Sequence, residues 1–438
     1  MSTIVALSTP VGRGALAVIR LSGSLSLDIV RLIAPELHNV NPREARLAQL
    51  RFPSGEILDK AVVTFFRGPV SVTGEDVVEI SCHGSPGIVR EVIDLALENG
   101  ARLAGPGEFT QRSLLNGKIN LAQAEAIRDL IEAQTEAAVK QAARQVGGEL
   151  SARLDQYKER LISSIVILES AIEFVEDDLP STQLESIEES LRFVHKGLDE
   201  LRGSFSSGRL LQHGARIAIA GSPNVGKSSL FNRLVELDRA IVTDIPGTTR
   251  DTLEQALDIG GIPVILTDTA GLRETHDSIE TLGIERTNRA ICDADLVLEV
   301  FDASVKQAPE THRFEVPSIR VLNKVDLVAN RDLPGEVVCV SALTGEGLED
   351  LRAAILNALN GSGASSNGIL ITNARHHELL KSAVGQMDLA LGSLRNRQSE
   401  ELILAPLHNC LRLIGGISGE TTTEDILGEI FATFCIGK

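Results

Sequence analysis

The segment Gly221-Ser222-Pro223-Asn224-Val225-Gly226-Lys227-Ser228 decides how the chain is read. It fits G-x-x-x-x-G-K-[ST], the spacing of a phosphate-binding loop. Its surroundings fit as well. Arg216-Ile217-Ala218-Ile219-Ala220 predicts a buried strand before it, and Ser229-Leu230-Phe231-Asn232-Arg233-Leu234 predicts the opening of a helix after it. The glycines let backbone N–H groups converge on phosphate oxygens, and a helix N-terminus adds a favourable dipole. Lys227 would reach the β- and γ-phosphates, and the Ser228 hydroxyl would sit on Mg2+.

Working outward, residues 213–360 alternate strand and helix signals, which predicts an α/β domain with a mostly parallel sheet. Asp268-Thr269-Ala270-Gly271 follows the apolar run Val264-Ile265-Leu266. An aspartate there can hold Mg2+ through its water, and the Gly271 N–H can sense the γ-phosphate. Asn323-Lys324-Val325-Asp326 follows Ile319-Arg320-Val321-Leu322. A carboxylate at that point can accept both N1–H and the 2-amino group of guanine, an edge that adenine lacks. Ser341-Ala342-Leu343 follows Val337-Val338-Cys339-Val340 and offers a backbone donor to the guanine oxygen. Each motif stands at the C-terminal end of a predicted strand, where open α/β sheets bind ligands. The domain resembles the translation-factor-like class of small GTPases, so the expected nucleotide is GTP.

The expected hydrolytic chemistry departs from the common pattern. Many GTPases place a water-orienting glutamine directly after D-x-x-G, but here that position is Leu272. Glu280, in the same expected switch segment, is the nearest carboxylate suited to orient water, although such a glutamate taken alone is more often a solvated helix charge. Asn224, paired with the loop Thr243-Asp244-Ile245-Pro246-Gly247-Thr248-Thr249, resembles GTPases that bind K+ against the phosphates. Asn224 would give a side-chain oxygen, and Thr243, Ile245 and Thr248 backbone carbonyls. Thr249 would be the switch threonine on Mg2+. A monovalent cation there neutralises developing charge as an arginine finger would. The expected nucleotide contacts also include Val225, Gly226 and Ser229 in the loop, together with Thr269, Ala270, Lys324 and Val325.

The chain has 438 residues, 43% hydrophobic and 23% charged, which suits several globular domains. Its net charge is −18, and residues 1–118 hold 12 Lys/Arg against 12 Asp/Glu. No segment is basic overall, which excludes nonspecific phosphate-backbone binding as the main purpose. Five scattered cysteines make a poor disulfide framework and suit a reducing cytosol. The sequence shows no membrane span, and Met1-Ser2-Thr3-Ile4-Val5-Ala6-Leu7 does not read as a signal peptide, so a cytoplasmic location is expected.

Residues 1–118 mix strand and helix signals, an α+β pattern. Strands are expected at Ile4-Val5-Ala6-Leu7, Ala17-Val18-Ile19-Arg20-Leu21, Ala61-Val62-Val63-Thr64-Phe65-Phe66 and Val77-Val78-Glu79-Ile80, and helices over residues 24–33 and 88–97. From about Leu121 the texture turns helical. Leu150, Leu154, Tyr157, Leu161, Ile165, Leu168, Ile172 and Val175 form one apolar stripe, and Leu184, Ile187, Leu191, Val194, Leu198 and Leu201 a second. Residues 203–208 read as a loosening before the next domain, and residues 361–368 as a flexible linker. Helical pattern returns with Leu379, Ala383, Met387, Leu391 and Leu394. The expected division is therefore 1–118, 119–212, 213–360 and 361–438, with an α/β P-loop (Ras-like) domain inserted in a discontinuous α-helical bundle.

Several stretches lie outside the nucleotide motifs. They include Thr9-Pro10-Val11-Gly12-Arg13-Gly14, Val18-Ile19-Arg20-Leu21-Ser22-Gly23, Thr73-Gly74-Glu75-Asp76-Val77-Val78-Glu79, Gly105-Pro106-Gly107-Glu108-Phe109-Thr110, Leu115-Asn116-Gly117-Lys118 and Phe434-Cys435-Ile436-Gly437-Lys438. Together they resemble the MnmE (TrmE) family of tRNA-modification GTPases, from the first residues to the last. The resemblance implies an N-terminal folate-binding domain that forms a homodimer, and a flavoprotein partner, MnmG (GidA). It implies modification of C5 of the tRNA wobble uridine with a one-carbon unit of 5-formyl- or 5,10-methylene-tetrahydrofolate, and K+-dependent association of G domains. Arg20, Glu79 and Lys118 match the family's folate positions, with Cys435 expected near the folate carbon and Lys438 near the ligand. One departure is Val72, where the family often has an aromatic residue.

Two other functions compete. A ribosome-assembly GTPase switch would share the nucleotide motifs, but it predicts a basic RNA-binding appendage that the charge distribution lacks. A folate-dependent one-carbon transferase with a regulatory G domain overlaps the first reading. A prenylation box at Cys435 fails on Gly437 and Lys438. Cys82-His83 is better read as the end of a buried strand than as a thiol–imidazole dyad.

Overall fold

The computed structural model describes residues 2–173, 181–237, 254–268, 291–305, 314–328, 337–360, 368–420 and 424–437. The chain divides into two compact units, residues 1–128 with 415–438, and residues 129–414.

The first unit is built on a six-stranded sheet. Its strands are β1 (Ile4–Leu7), β2 (Leu16–Ser22), β3 (Ala45–Arg51), β4 (Ile57–Phe66), β5 (Val77–His83) and β6 (Arg102–Leu103), in the order β3-β4-β5-β2-β1-β6. All pairs are antiparallel except β1 with β6. Period-two alternation sorts the two faces. Ile19, Leu21, Val63, Phe65, Ile80 and Cys82 point into a core covered by the helices Ser26–Ile33 and Pro86–Glu98. Leu16, Leu47 and Val62 lie exposed on the opposite side. The four expected strands all form. β3 was not foreseen, because Arg46, Gln49 and Arg51 dilute its apolar alternation on an edge where only Ala48 and Leu50 need burial. The helix Glu108–Leu115 was also missed behind the glycines that precede it.

In the second unit, the first expected stripe lies on the helix Glu149–Glu173, where Leu150, Leu154, Tyr157, Leu161, Ile165 and Leu168 are buried. Ile172 is exposed, and Val175 lies outside the described residues. The second stripe lies on Ser181–Gly203. The helix Ala374–Arg395 belongs to the same bundle, with His195 Nε2 2.8 Å from Asp388 Oδ1. A buried polar knot joins the bundle's sequence-distant parts. Gln141 and Gln145 donate to the Leu370 carbonyl at 3.0 and 2.7 Å, and Thr372 Oγ1 donates to Asp129 Oδ2 at 2.9 Å. The loosening expected at 203–208 is instead the start of a helix, Phe205–His213. It docks so closely that a Cβ at Gly208 would strike the Ile371 carbonyl, so this glycine marks packing rather than a linker.

The α/β part of this unit has β7 (Ala215–Ala220), β8 (Glu254–Ile259), β9 (Ile262–Asp268), β10 (Leu296–Asp302), β11 (Ser318–Asn323) and β12 (Val338–Cys339), in the order β12-β11-β10-β7-β9-β8. Only the β8–β9 hairpin is antiparallel. Strand residues such as Ile217, Ile219, Val264, Leu266, Leu298 and Val300 are fully buried, as strands covered on both faces require. Thr135 caps the helix Glu136–Val146 by accepting from Ala138 N, while its hydroxyl donates 2.7 Å to the Gly261 carbonyl at the hairpin tip. No helix among the described residues is long and apolar enough to cross a membrane.

Candidate functional site

The C-terminal ends of β7, β9, β10 and β11 bring Gly221, Asp268, Asp302 and Asn323 to one edge of the parallel sheet. After β7 the chain passes through Gly221 (φ 144°), Asn224 (φ 64°) and Gly226 (φ 94°) before the helix Lys227–Leu237 begins. A Cβ at Gly221 would meet the Val300 carbonyl, and one at Gly226 would meet the Asn323 amide. Asn224 takes a left-handed conformation that asparagine tolerates better than most residues. Lys227 is 7% exposed, and its ammonium curls over the loop to donate 2.8 Å to the Ser222 carbonyl. Ser228 and Ser229 are exposed in the first turn.

The expected guanine-reading segment is interlocked with this loop. Asn323 Nδ2 donates 3.0 Å to the Val225 carbonyl, and Asn323 Oδ1 accepts from Ala342 N at 3.0 Å. Lys324, itself left-handed at φ 66°, donates 2.7 Å to the Asn224 carbonyl. Asp326 Oδ1 accepts 2.6 Å from the buried Ser341 hydroxyl, which orients the carboxylate. Val325 is buried, and Leu343 is exposed. Two adjacent side chains, Asn323 and Lys324, thus hold two successive loop carbonyls. Asp268 is buried at the end of β9. Thr243, Asp244, Ile245, Pro246, Gly247, Thr248, Thr249, Thr269, Ala270, Gly271, Leu272 and Glu280 lie outside the described residues, as does Lys438.

In the first unit, Arg20 and Glu79 face each other across paired strands, with Arg20 Nε and Nη2 2.9 and 2.7 Å from Glu79 Oε1. The Arg20 guanidinium also lies 5.7 Å from the Phe109 ring centroid. Two residues before Phe109, the Gly107 N–H donates 3.3 Å to the Cys435 carbonyl. Ile436 bridges Pro106, and Ser8 Oγ donates 2.9 Å to the Gly437 carbonyl. The C-terminal tail therefore lies against the loop that leads to Phe109, with Cys435 exposed. Lys118 is engaged elsewhere, donating 2.9 Å to the Pro69 carbonyl.

Comparison with known proteins covers the whole chain. The family model for the GTP-binding protein TrmE N-terminus matches residues 3–118, and that for the MnmE helical domain matches residues 121–435. The tRNA modification GTPase MnmE of Koribacter versatilis is 46% identical over 452 residues, covering 100% of this chain and 99% of its own. That of Aquifex aeolicus is 44% identical over 445 residues, covering 99% of each. The chain belongs to the MnmE family of tRNA modification GTPases. Among solved structures, Era of Aquifex aeolicus bound to GDP·AlF4− is 28% identical over 40% of this chain and 67% of its own, with a TM-score of 0.28.

Two charged groups escaped sequence reasoning: Arg112, which lies between two of the stretches that carry the family resemblance, and Asp302, which lies in none of them. Arg112 is 2% exposed and joins two of those stretches to the start of the chain. It donates 2.7 Å to Glu75 Oε2, 2.8 Å to Glu108 Oε1 and 2.8 Å to the Ser2 carbonyl. Ser22 Oγ donates to the same Glu75 oxygen, and Thr73 Oγ1 lies 2.8 Å from Ser22 Oγ. Burial alone would raise the Glu108 pKa, but hydrogen bonds from Arg102, the Gly105 N–H and Arg112 hold it down at about 2. The spacing of Glu108 and Arg112, four apart on one helix, was the available signal. The second missed group is Asp302, whose Oδ2 lies 2.6 Å from Lys324 Nζ. The Cys82–His83 reading holds in its structural form. Cys82 is fully buried and its thiol is pushed up to about 11 by burial, while exposed His83 pairs with Asp59 at 2.7 Å.

Proposed function

We propose that this GTPase couples K+-stimulated GTP hydrolysis to modification of the tRNA wobble uridine, with an MnmG (GidA)-type flavoprotein partner. A carboxymethylaminomethyl- or aminomethyl-type group would be added at C5 from a tetrahydrofolate one-carbon unit. The observation that carries the reading is the interlock of Asn323 with the Val225 carbonyl in a chain matched to the MnmE family along its length. It joins phosphate-binding and guanine-reading segments into one preformed site.

The chemistry of the nucleotide site follows from its own residues. Lys227 balances phosphate charge, the Asp326 carboxylate accepts from the guanine edge, and Glu280 orients the attacking water. Ser228, Asp268 and Thr249 suit Mg2+, which offers oxygen-bound charge neutralisation to the phosphates. K+ would be held by Asn224, Thr243, Ile245 and Thr248. Asn224 suits that role, because the loop exposes it while Lys324 fixes its carbonyl. The neutral oxygens of this donor set favour a weakly hydrated monovalent ion.

In the first unit, Arg20 and Glu79 are 22% and 28% exposed, so the pair is reachable. A folate would share or part this pair, with Glu79 accepting from the pterin amino-amide edge. Arg20, Lys118 and Lys438 would serve the glutamyl tail. Cys435 would stand by the folate carbon, either 5-formyl or 5,10-methylene, and that group supplies the one-carbon unit. The exposed apolar side chains Leu16 (67%), Leu47 (72%) and Val62 (39%) on this sheet face suit a second copy of the chain, which supports a homodimer. We retain 1–118, 119–212, 213–360 and 361–438 as functional segments, and a cytoplasmic location.

GTP turnover in K+ against Na+, with and without folate, tests the cation reading, and equal rates in both salts would remove it. Wobble-uridine nucleoside analysis in a deletion strain tests the whole, and unchanged modification would overturn it. Normal modification by a Cys435→Ser protein would end the nucleophile role of that thiol.

A further inference from the structure

One carboxylate at the nucleotide edge has no place in the reading above. Asp302 ends β10, beside β7 and β11 in the sheet. Its two oxygens are both committed. Oδ1 accepts from Ser304 N at 2.9 Å and from Ser304 Oγ at 2.6 Å. Oδ2 faces Lys324 Nζ at 2.6 Å, with the Asp302 side chain only 12% exposed. The lysine in turn donates to the Asn224 carbonyl at 2.7 Å. A rigid turn therefore holds a carboxylate, the carboxylate holds an ammonium, and the ammonium holds the one left-handed non-glycine residue of the phosphate loop.

We propose that Asp302 is a positioning residue for the nucleotide site, acting through Lys324 to fix the left-handed backbone of Asn224 and so the aim of its side chain. The physical reason is the flexibility of lysine. Its four-carbon stem carries about 2 kcal/mol of rotamer entropy, and a single carbonyl is a weak anchor for it. A carboxylate on the far side narrows the ammonium to one place at which it also bonds the loop. Charge-assisted hydrogen bonds of this kind are roughly twice as strong as neutral ones. Asn323 holds the next carbonyl, Val225, so the loop is gripped at two successive peptides. The asparagine that we assign to K+ is then presented before any ligand arrives. Asp302 sits 22 residues before Lys324 in sequence and meets the nucleotide site through that lysine. No motif would select it.

The inference rests on the assignment of Asn224 to K+ for one of its two readouts, and on geometry alone for the other. The experiment is to measure, in the full-length protein, the affinity for a fluorescent GDP analogue in Na+ buffer, and the K+ concentration that gives half-maximal GTP turnover. Wild type, Asp302→Ala, Asp302→Asn and Ser304→Ala are compared, each with its melting temperature. Losing one charge-assisted bond predicts roughly tenfold weaker GDP-analogue binding in Asp302→Ala. Half-saturation by K+ should rise by a similar factor, with melting temperatures within a few degrees. Asp302→Asn, which keeps an acceptor without the charge, should recover part of both. Unchanged analogue affinity in Asp302→Ala would overturn the proposal. So would an affinity loss that tracks melting temperature across all three variants, which would make the residue merely structural. If Asp302→Ala does not fold, Asp302→Asn and Ser304→Ala decide, and wild-type affinity in both overturns it. Wild-type turnover that is indifferent to K+ removes the cation assignment alone, and the affinity measurement still decides the role of Asp302.

Discussion

Two polar hubs differ in what they spend their hydrogen bonds on. Around Arg112 in the first unit, the charges are satisfied chiefly by opposite charges, with the Ser2 carbonyl as a further acceptor. Glu75 and Glu108 both close on one guanidinium, and Ser22 and Thr73 fill the remaining position. Around Asn323 and Lys324 in the second unit, side chains close on backbone, gripping the Val225 and Asn224 carbonyls. The first arrangement consumes its charges and fixes a shape. The second uses its hydrogen bonds to shape a loop. A motif of charged residues is therefore not in itself a binding site. Thr73-Gly74-Glu75-Asp76 carries part of the family resemblance, yet three of its side chains hold the domain together.

The contrast can be broken at either end. Arg112→Met should have the largest effect. It leaves the Glu75 carboxylate without its guanidinium in a largely buried place, while Glu108 keeps Arg102, a loss of about 3 kcal/mol. Urea unfolding should show it, while nucleotide affinity in whatever protein stays folded is unchanged. Lys227→Ala should do the opposite. Stability should change little, and GTP turnover should fall about a hundredfold or more, since a charge matched to the transition state is lost. A variant that lost both to the same degree would erase the distinction between the hubs.

The pH dependence sharpens the comparison. The Glu108 carboxyl is held at about 2, below its ordinary 4.5. A depressed pKa contributes stability that is fully present above 4.5 and is lost as pH falls towards about 2. Unfolding of the first unit should therefore become easier between those values, and Glu108→Gln should flatten that slope. Denaturant titrations at pH 6 and pH 3.5 of both proteins read the difference. The smallest effect is expected at Thr135, where one hydroxyl caps a helix and holds the β8–β9 hairpin. Thr135→Val should cost about 1 kcal/mol, seen as a shifted unfolding midpoint.

Much of this was legible in the sequence where a pattern repeats. The stripe from Leu150 to Leu168 predicts its helix because burial recurs every three or four residues. The four nucleotide motifs predict their strand ends, since each follows an apolar run. What stayed hidden depends on partners distant in sequence. β3 is an edge strand with little to bury, so its alternation is faint. Gly208 looked like slack, although its missing side chain makes room for Ile371. Arg112 and Asp302 take their meaning from Glu75 and Lys324, which no local spacing connects to them. The assignment of Ser341 is a middle case. The sequence suggests a backbone donor there, and the structure adds a hydroxyl that orients Asp326.

The central claim is that one chain carries two sites, both needed for one modification. The most direct measurement is wobble-uridine nucleoside analysis by mass spectrometry in a deletion strain carrying either Arg20→Ala or Lys227→Ala. The account predicts that both strains lack the modification, while purified Arg20→Ala protein still turns over GTP and Lys227→Ala protein still binds folate. Full modification in either strain would contradict it.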